Sequence, residues 1–341
     1  MKELGNQDIP FFVALGLFKP HLPLVAPEEF FEFYDKNEEK CFEDGEYWSN
    51  TFTDRLGSLG LAPPQSETNQ YDNKMAVSDA QEDSGIRESN IEKEDLIPLV
   101  RKSYYATVRY VDTLVKKFAD GIKRLPSKVK DNTHIIITSD HGFLLGEYGR
   151  IGKWVLAEAA TRVPLTIIPS KNFRKIYKKT KIGTRITAPV DQVDVFPTIL
   201  EMAGMPEEYR TLAGKSGDAL PGVSLSPYFS DPKASTRGVS ISEYDTQYDS
   251  GRSIAMRSKY FKYIGYTKAS RKPLLFDYRG EDHRMVEREN VIDNPEYAQV
   301  KDWFEGLFQE AVEAGDTKAW LGIKNIEPID LHYSSNRGVN E

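Results

Sequence analysis

Four side chains in this 341-residue sequence have the types and spacing to work on one small charged group: His21, Asp140, His141 and Lys153. Asp140 and His141 stand at the end of an apolar run, His134-Ile135-Ile136-Ile137-Thr138, within the stretch HIIITSDHGFLLGEYGRIGK of residues 134–153. A short β-branched run without alternation suits a central strand buried on both faces. Ser139-Asp140-His141-Gly142 stops it, and in an open parallel sheet the carboxyl ends of strands form the crevice where ligands bind. A carboxylate beside an imidazole at that rim can hold a cation or face a developing negative charge. Read in isolation, the tetrapeptide is equally a polar strand-to-loop turn, with Asp140 capping the next segment. Lys153 comes after a loop punctuated by Gly142, Gly146, Gly149 and Gly152, which lets its ammonium fold back over the same point, with Arg150 nearby. His21 lies in Lys19-Pro20-His21-Leu22-Pro23, where prolines on both sides predict an extended, stiff backbone that fixes the imidazole's direction.

The elements that must hold these groups can be read in turn. Residues 9–18 form a second continuous apolar run with strand character, and a buried parallel strand so early in the chain implies neighbours supplied from upstream. Pro27-Glu28-Glu29 opens a short helix through Tyr34, with acids in its first turn. Residues 62–92 turn polar and are expected to form a mobile insertion. Leu96, Leu99, Val100, Ser103, Val108, Val111, Leu114, Val115, Phe118 and Ile122 recur at helical spacing and predict a helix over residues 95–125. A strand near residues 163–168, a solvated basic linker over 171–181 and an amphipathic helix over 190–200, stopped by Gly204, come next. Short alternating segments at 240–244, 253–257, 260–266 and 274–278 predict an antiparallel sheet, and residues 294–314 a last helix. This gives a main portion over residues 9–230, an α+β subdomain over 239–320 and a poorly anchored tail over 321–341.

Composition narrows the partners. The net charge of -7 argues against nucleic acid as a partner, since general polyanion binders are basic. No apolar run is long enough to span a bilayer. The first residues lack the apolar core of a signal peptide, so the sequence leaves the compartment open. The single cysteine, Cys41, excludes an intrachain disulfide, and its acidic surroundings make it an ordinary thiol.

Taken together, these motifs resemble the sulfatase family of the alkaline-phosphatase superfamily, in particular its iduronate-2-sulfatase-like branch. The matching features are Lys-Pro-His-Leu-Pro at 19–23, Tyr-Tyr-Ala-Thr-Val-Arg-Tyr-Val-Asp at 104–112 and Asp-His-Gly at 140–142. They continue with Gly-Glu-Tyr-Gly at 146–149, Lys153, Arg-Val-Pro-Leu at 162–165 and the Pro-Thr-Ile-Leu helix at 197–200. The resemblance covers residues 10–310, corresponding to the C-terminal portion of the family's fold. It implies an α/β architecture: a mostly parallel sheet flanked by helices, with its N-terminal strands missing from this chain, and a smaller C-terminal antiparallel sheet plus helix.

The resemblance also implies the chemistry. Sulfatases hydrolyse sulfate esters with a formylglycine hydrate, made from a Cys or Ser in a Cys/Ser-x-Pro/Ala-x-Arg motif, beside one Ca2+ ion. By that likeness Asp140 and His141 are metal ligands. His21 and Lys153 are the catalytic pair that holds the sulfate and protonates the leaving oxygen, while Lys19 and Arg150 join them in substrate binding. The substrate is then a sulfate ester, of glycosaminoglycan type in this branch. Three departures stand out. Cys41 precedes Phe-Glu-Asp-Gly rather than the maturation motif, no Asp-Asp pair comes after an early strand, and Tyr148 stands where relatives have His. The nucleophile and remaining metal ligands are therefore expected from a missing N-terminal half, which makes the chain a fragment or incomplete enzyme. Two alternatives stay open: a catalytically dead sulfatase-like protein that binds a sulfated glycan or a partner, and a phosphoester hydrolase of the same superfamily.

Overall fold

The computed structural model describes residues 9–37, 93–147, 151–153, 155–176, 181–205, 221–234, 238–245, 251–269, 271–279, 287 and 289–315. The insertion at 62–92, the tail at 321–341, and Cys41, Tyr148 and Arg150 lie outside them. The chain divides into two units, one made of Met1–Thr133 with Ser139–Lys153, the other of His134–Thr138 with Trp154–Glu341.

In the first unit α1 (Glu28–Asp35) lies on α2 (Lys93–Lys123), and a single turn, α3 (Ser127–Lys130), comes after them. Pro27 precedes α1, and Glu28 and Glu29 in its first turn complement the exposed N–H dipoles. Phe30 packs edge-on to Tyr110 at 5.3 Å, and the Arg109 guanidinium covers the Phe33 ring at 3.6 Å. The buried face of α2 runs through Val100, Ser103, Ala106 and Thr107. Val108, which the spacing assigned to the core, is 41% exposed. At 3.6 residues per turn it falls beyond the edge of that stripe. A short antiparallel hairpin, β2 (Leu144–Leu145) with β3 (Ile151–Gly152), pairs Leu144 with Gly152 and Leu145 with Ile151. Leu24, Val100, Leu145 and Ile151 form the unit's apolar cluster.

Residues 9–18 are not a strand in this structure. They run without ladder hydrogen bonds among the described residues, and Ile9, Phe12, Val13, Leu15 and Phe18 are exposed. An apolar run alone makes no strand, because strand geometry is stabilised by a neighbour.

In the second unit β1 (Ile135–Thr138) pairs antiparallel with β4 (Leu165–Ile168), Ile135 opposite Ile168. The apolar run predicted a strand buried on both faces within a parallel pairing. The pairing observed among the described residues is antiparallel, and Ile135, Ile136 and Ile137 are half-buried, because each strand has one described neighbour. Helix α4 (Glu158–Thr161) precedes β4, and α5 (Phe173–Ile176) comes after it. Asp191 and Asp194 cap the single turn at Gln192–Asp194 reciprocally; α6 (Val195–Met202) continues from it, and Gly204 at φ 71° turns the chain out.

Strands β5 (Ser240–Asp245), β6 (Arg252–Arg257), β7 (Phe261–Tyr266) and β8 (Leu274–Asp277) form an antiparallel sheet in that order, with α7 (Ala298–Glu313) packed on it. The α/β class with a smaller C-terminal antiparallel sheet plus helix thus agrees with its sequence. Phe304 stacks on Tyr263 at 5.7 Å, and a Cβ at Gly265 would lie 2.4 Å from the Phe308 ring, so β7 needs glycine there. The other face of β7 is covered as well. Lys262, 1% exposed, places Nζ 3.1 Å from Glu287 and 3.4 Å from Glu158, and donates to the Thr161 hydroxyl at 3.2 Å. Arg257 Nε lies 3.4 Å from Glu158, whose backbone N–H donates to Glu287 at 2.7 Å. Two buried carboxylates are thereby matched by two cations.

Candidate active site at the end of the 141–153 hairpin

Asp140, His141 and Lys153 all belong to the first unit, and the hairpin brings the last two together. His141 and Gly142 lead into β2, and Lys153 is the residue after β3. Pairing Leu144 with Gly152 therefore leaves His141 and Lys153 at the hairpin's open end. There Lys153 Nζ donates to His141 Nε2 at 3.0 Å. The other ring nitrogen, Nδ1, lies 2.8 Å from the Gly142 carbonyl oxygen, which can only accept. A neutral ring in this arrangement carries its proton on Nδ1 and presents the Nε2 lone pair to the ammonium.

Asp140 places Oδ2 3.5 Å from the same Nε2, while its Oδ1 accepts the His141 N–H at 2.9 Å. The Ser139 hydroxyl donates to the His141 carbonyl at 3.2 Å. Partial burial pushes the Asp140 carboxyl upward, but the hydrogen bond from the His141 N–H and, further down, that from the Ser139 hydroxyl, together with the positive charge of the His141 ring whenever it is protonated, outweigh it, and its pKa falls below the ordinary value. The result is an exposed carboxylate, an imidazole lone pair and an ammonium converging on one spot. Such a set can grip an anionic group through the ammonium and exchange a proton with it.

His21 and Lys19 sit on a turn rather than the extended segment that the flanking prolines predicted. The His21 N–H donates to the Phe18 carbonyl at 3.1 Å. Lys19 Nζ donates to the carbonyls of His21, at 3.2 Å, and Pro23. Gathering those carbonyls bends the chain and turns the Lys19 charge onto its own backbone. The His21 ring packs on Phe18 at 4.9 Å, with Nδ1 2.7 Å from the Leu22 carbonyl, and its polar contacts stay within this turn. Leu22 and Phe143 nevertheless pack against the same apolar cluster, which puts the turn and the hairpin on one support.

Three further groups reach the hairpin. Arg101 Nη2 donates to the Leu145 carbonyl at 3.1 Å, the Glu147 carboxylate accepts the Leu145 N–H, and Tyr104 stacks on Phe143 at 5.6 Å. Burial pushes the Glu147 carboxyl up, opposed by that N–H and by Arg101. Burial, with Asp140 and Glu147 nearby, pushes the Tyr104 phenol up to about 12. The helical pattern assigned residues 104–112 to core packing and left Arg101 aside. The available signal was a guanidinium between Val100 and Ser103, both on the buried stripe.

A divalent cation can be tested against these donors. Calcium takes six to eight oxygen ligands. Asp140 and His141 supply two side-chain donors, and no group of three or more His, Cys, Asp and Glu among the described residues is arranged for a metal ion. The described residues do not by themselves make a calcium site.

A family model described as Sulfatase matches residues 1–205. The chain is 30% identical over 200 residues to a sulfatase of Formosa agariphila, covering 59% of this chain and 34% of that protein. It is 29% identical over 234 residues to iduronate 2-sulfatase of Mus musculus, covering 60% and 38%. Among solved structures, the phosphonate monoester hydrolase of Agrobacterium radiobacter superposes with a TM-score of 0.63 at 20% identity, covering 91% of this chain and 58% of that one. The chain therefore spans well under two thirds of each of these relatives.

Proposed function

Because the chain belongs to the sulfatase family, whose model it matches over residues 1–205, we propose that it forms the ester-holding part of a sulfuric ester hydrolase acting on a sulfated sugar or related sulfate ester. The observation that carries this reading is the 3.0 Å approach of Lys153 Nζ to His141 Nε2 beside Asp140. In sulfate ester hydrolysis a nucleophile attacks sulfur, the bond from sulfur to the alcohol oxygen breaks, and that oxygen leaves with a proton. The Lys153 ammonium and the His21 imidazole hold the sulfate and the bridging oxygen, and one of them gives the proton. Lys19 supports the His21 turn, and Arg150 adds positive charge near the substrate. Asp140 and His141 would be two of the ligands of a Ca2+ ion whose other ligands lie outside the described residues; with such an ion bound, the Nε2 lone pair would go to the metal and the Lys153 ammonium would be left to the sulfate. The ester is of glycosaminoglycan type, in keeping with the iduronate 2-sulfatase relative. Residues 9–230 carry this part, and residues 239–320 form a separate subdomain.

The formylglycine nucleophile is absent from this chain, since Cys41 is followed by Phe-Glu-Asp-Gly. It comes from an N-terminal half that completes the site. The test is turnover of an aryl sulfate and a sulfated disaccharide by the chain alone, and by the chain co-expressed with the polypeptide encoded immediately upstream. Turnover only in the co-expressed form supports the reading. Turnover by the chain alone would show that the nucleophile has been misplaced, and turnover of a phosphate ester instead would change the substrate class. The missing maturation motif also favours a second reading, a sulfatase-like protein that binds a sulfated glycan without cleaving it. Saturable binding of a sulfated oligosaccharide with no turnover in either form selects that one.

A further inference from the structure

A guanidinium buried to 2% exposure in the middle of a helix is costly unless something requires it. Arg101 of α2 is such a group, and its Nη2 donates to the Leu145 carbonyl at 3.1 Å. The N–H of the same residue is taken by the Glu147 carboxylate. Two opposite charges thus hold the two backbone polar groups of one residue, and each moderates the other's burial. Leu145 is the β2 residue opposite Ile151, so this grip acts on the register of the hairpin. One turn along α2, Tyr104 stacks on Phe143 at 15° between ring planes. The helix therefore holds the hairpin at residues 143 and 145, just past His141. Apolar packing alone tolerates sliding, whereas charge-assisted hydrogen bonds are directional.

We propose that Arg101 and Glu147 are positioning residues, which lock the hairpin register so that His141 and Lys153 stand side by side at its open end. The importance of those two end groups rests on the hydrolase reading; the lock itself does not.

The experiment tracks the ring nitrogens of His141 by 15N NMR in the full chain with divalent cations removed, at one fixed pH, assigned by their loss in His141→Gln. In the unaltered chain the two signals should be widely separated, one protonated and one accepting. Glu147→Gln and Arg101→Met should collapse that separation as the ring samples both tautomers, and Arg101→Lys should restore part of it. Where the preparation turns over a sulfate ester, both losses should lower kcat about 10–100-fold with little change in KM. Folded Glu147→Gln or Arg101→Met protein with unchanged His141 signals would overturn the proposal. If Arg101→Met does not fold, the double change Arg101→Met with Glu147→Met removes both charges. Unchanged His141 signals in that folded protein overturn the proposal, and a collapsed separation supports it. A collapsed separation in a chain that turns over no sulfate ester even when co-expressed with the upstream polypeptide upholds the lock and counts against the hydrolase instead.

Discussion

Replacing Lys262 by Met tests whether the buried charges behind β7 are held by one another. Met keeps most of the apolar stem and removes the ammonium. Left behind are Glu158 and Glu287, both buried, facing Arg257 as the cation among the contacts described. One carboxylate loses its partner at 3.1 Å, and the Thr161 hydroxyl loses an N–H donor. Breaking a buried pair from one side costs about 3–5 kcal/mol. For a unit of this size that lowers Tm by roughly 10 °C. Urea unfolding monitored by circular dichroism measures the loss directly. The double change Lys262→Met with Glu287→Gln removes one charge of each sign and should recover at least half of it. Lys36→Met, in an exposed pair with Glu32 at the C-terminal end of α1, serves as the control and should cost under about 0.5 kcal/mol. A Lys262→Met protein within about 1 kcal/mol of the original would refute the reasoning, because it would mean that water already solvates the cluster.

Three other outcomes are expected from the same structure. Gly265→Ala should destabilise by about 1–3 kcal/mol in urea unfolding, since the added Cβ would meet the Phe308 ring. Asp194→Ala removes an acceptor for the N–H groups of Asp191 and Val223, at 2.8 and 2.9 Å, and should lower stability by about 1–3 kcal/mol; Asp194→Asn should recover part of it. Tyr104 has its pKa raised from 10.0 to about 12 by burial and by Asp140 and Glu147. Its phenol therefore stabilises the fold fully below pH 10, and that contribution declines from there to about pH 12. Alkaline unfolding should shift to higher pH in Tyr104→Phe, and an unchanged midpoint would remove Tyr104 as a cause.

Much of the site was legible because local chemistry set it. The glycines at 142, 146, 149 and 152 marked a chain reversal, and the reversal joins His141 to Lys153. The C-terminal strands were legible from their turns, although β6 and β7 are buried almost throughout rather than alternately. Alternation fails there because α7 covers one face and the Lys262 cluster the other. Glu147 was illegible and Arg101 gave only its place beside the buried stripe, since a charged residue is read as solvated until the group that it serves, 44 residues away for Arg101, is known. The strand reading of residues 9–18 and the extended reading of 19–23 failed for one reason. Both took side-chain type as sufficient where hydrogen-bond partners decide.

That bare ribbon also governs how the protein will behave in company. Pro10 and Pro20 blunt its two ends, but between them an aromatic and aliphatic edge faces water with its amide groups unclaimed by any sheet among the described residues. Such an edge is adhesive: whichever polypeptide first lays a strand along it gains both the backbone bonds and the shelter from solvent.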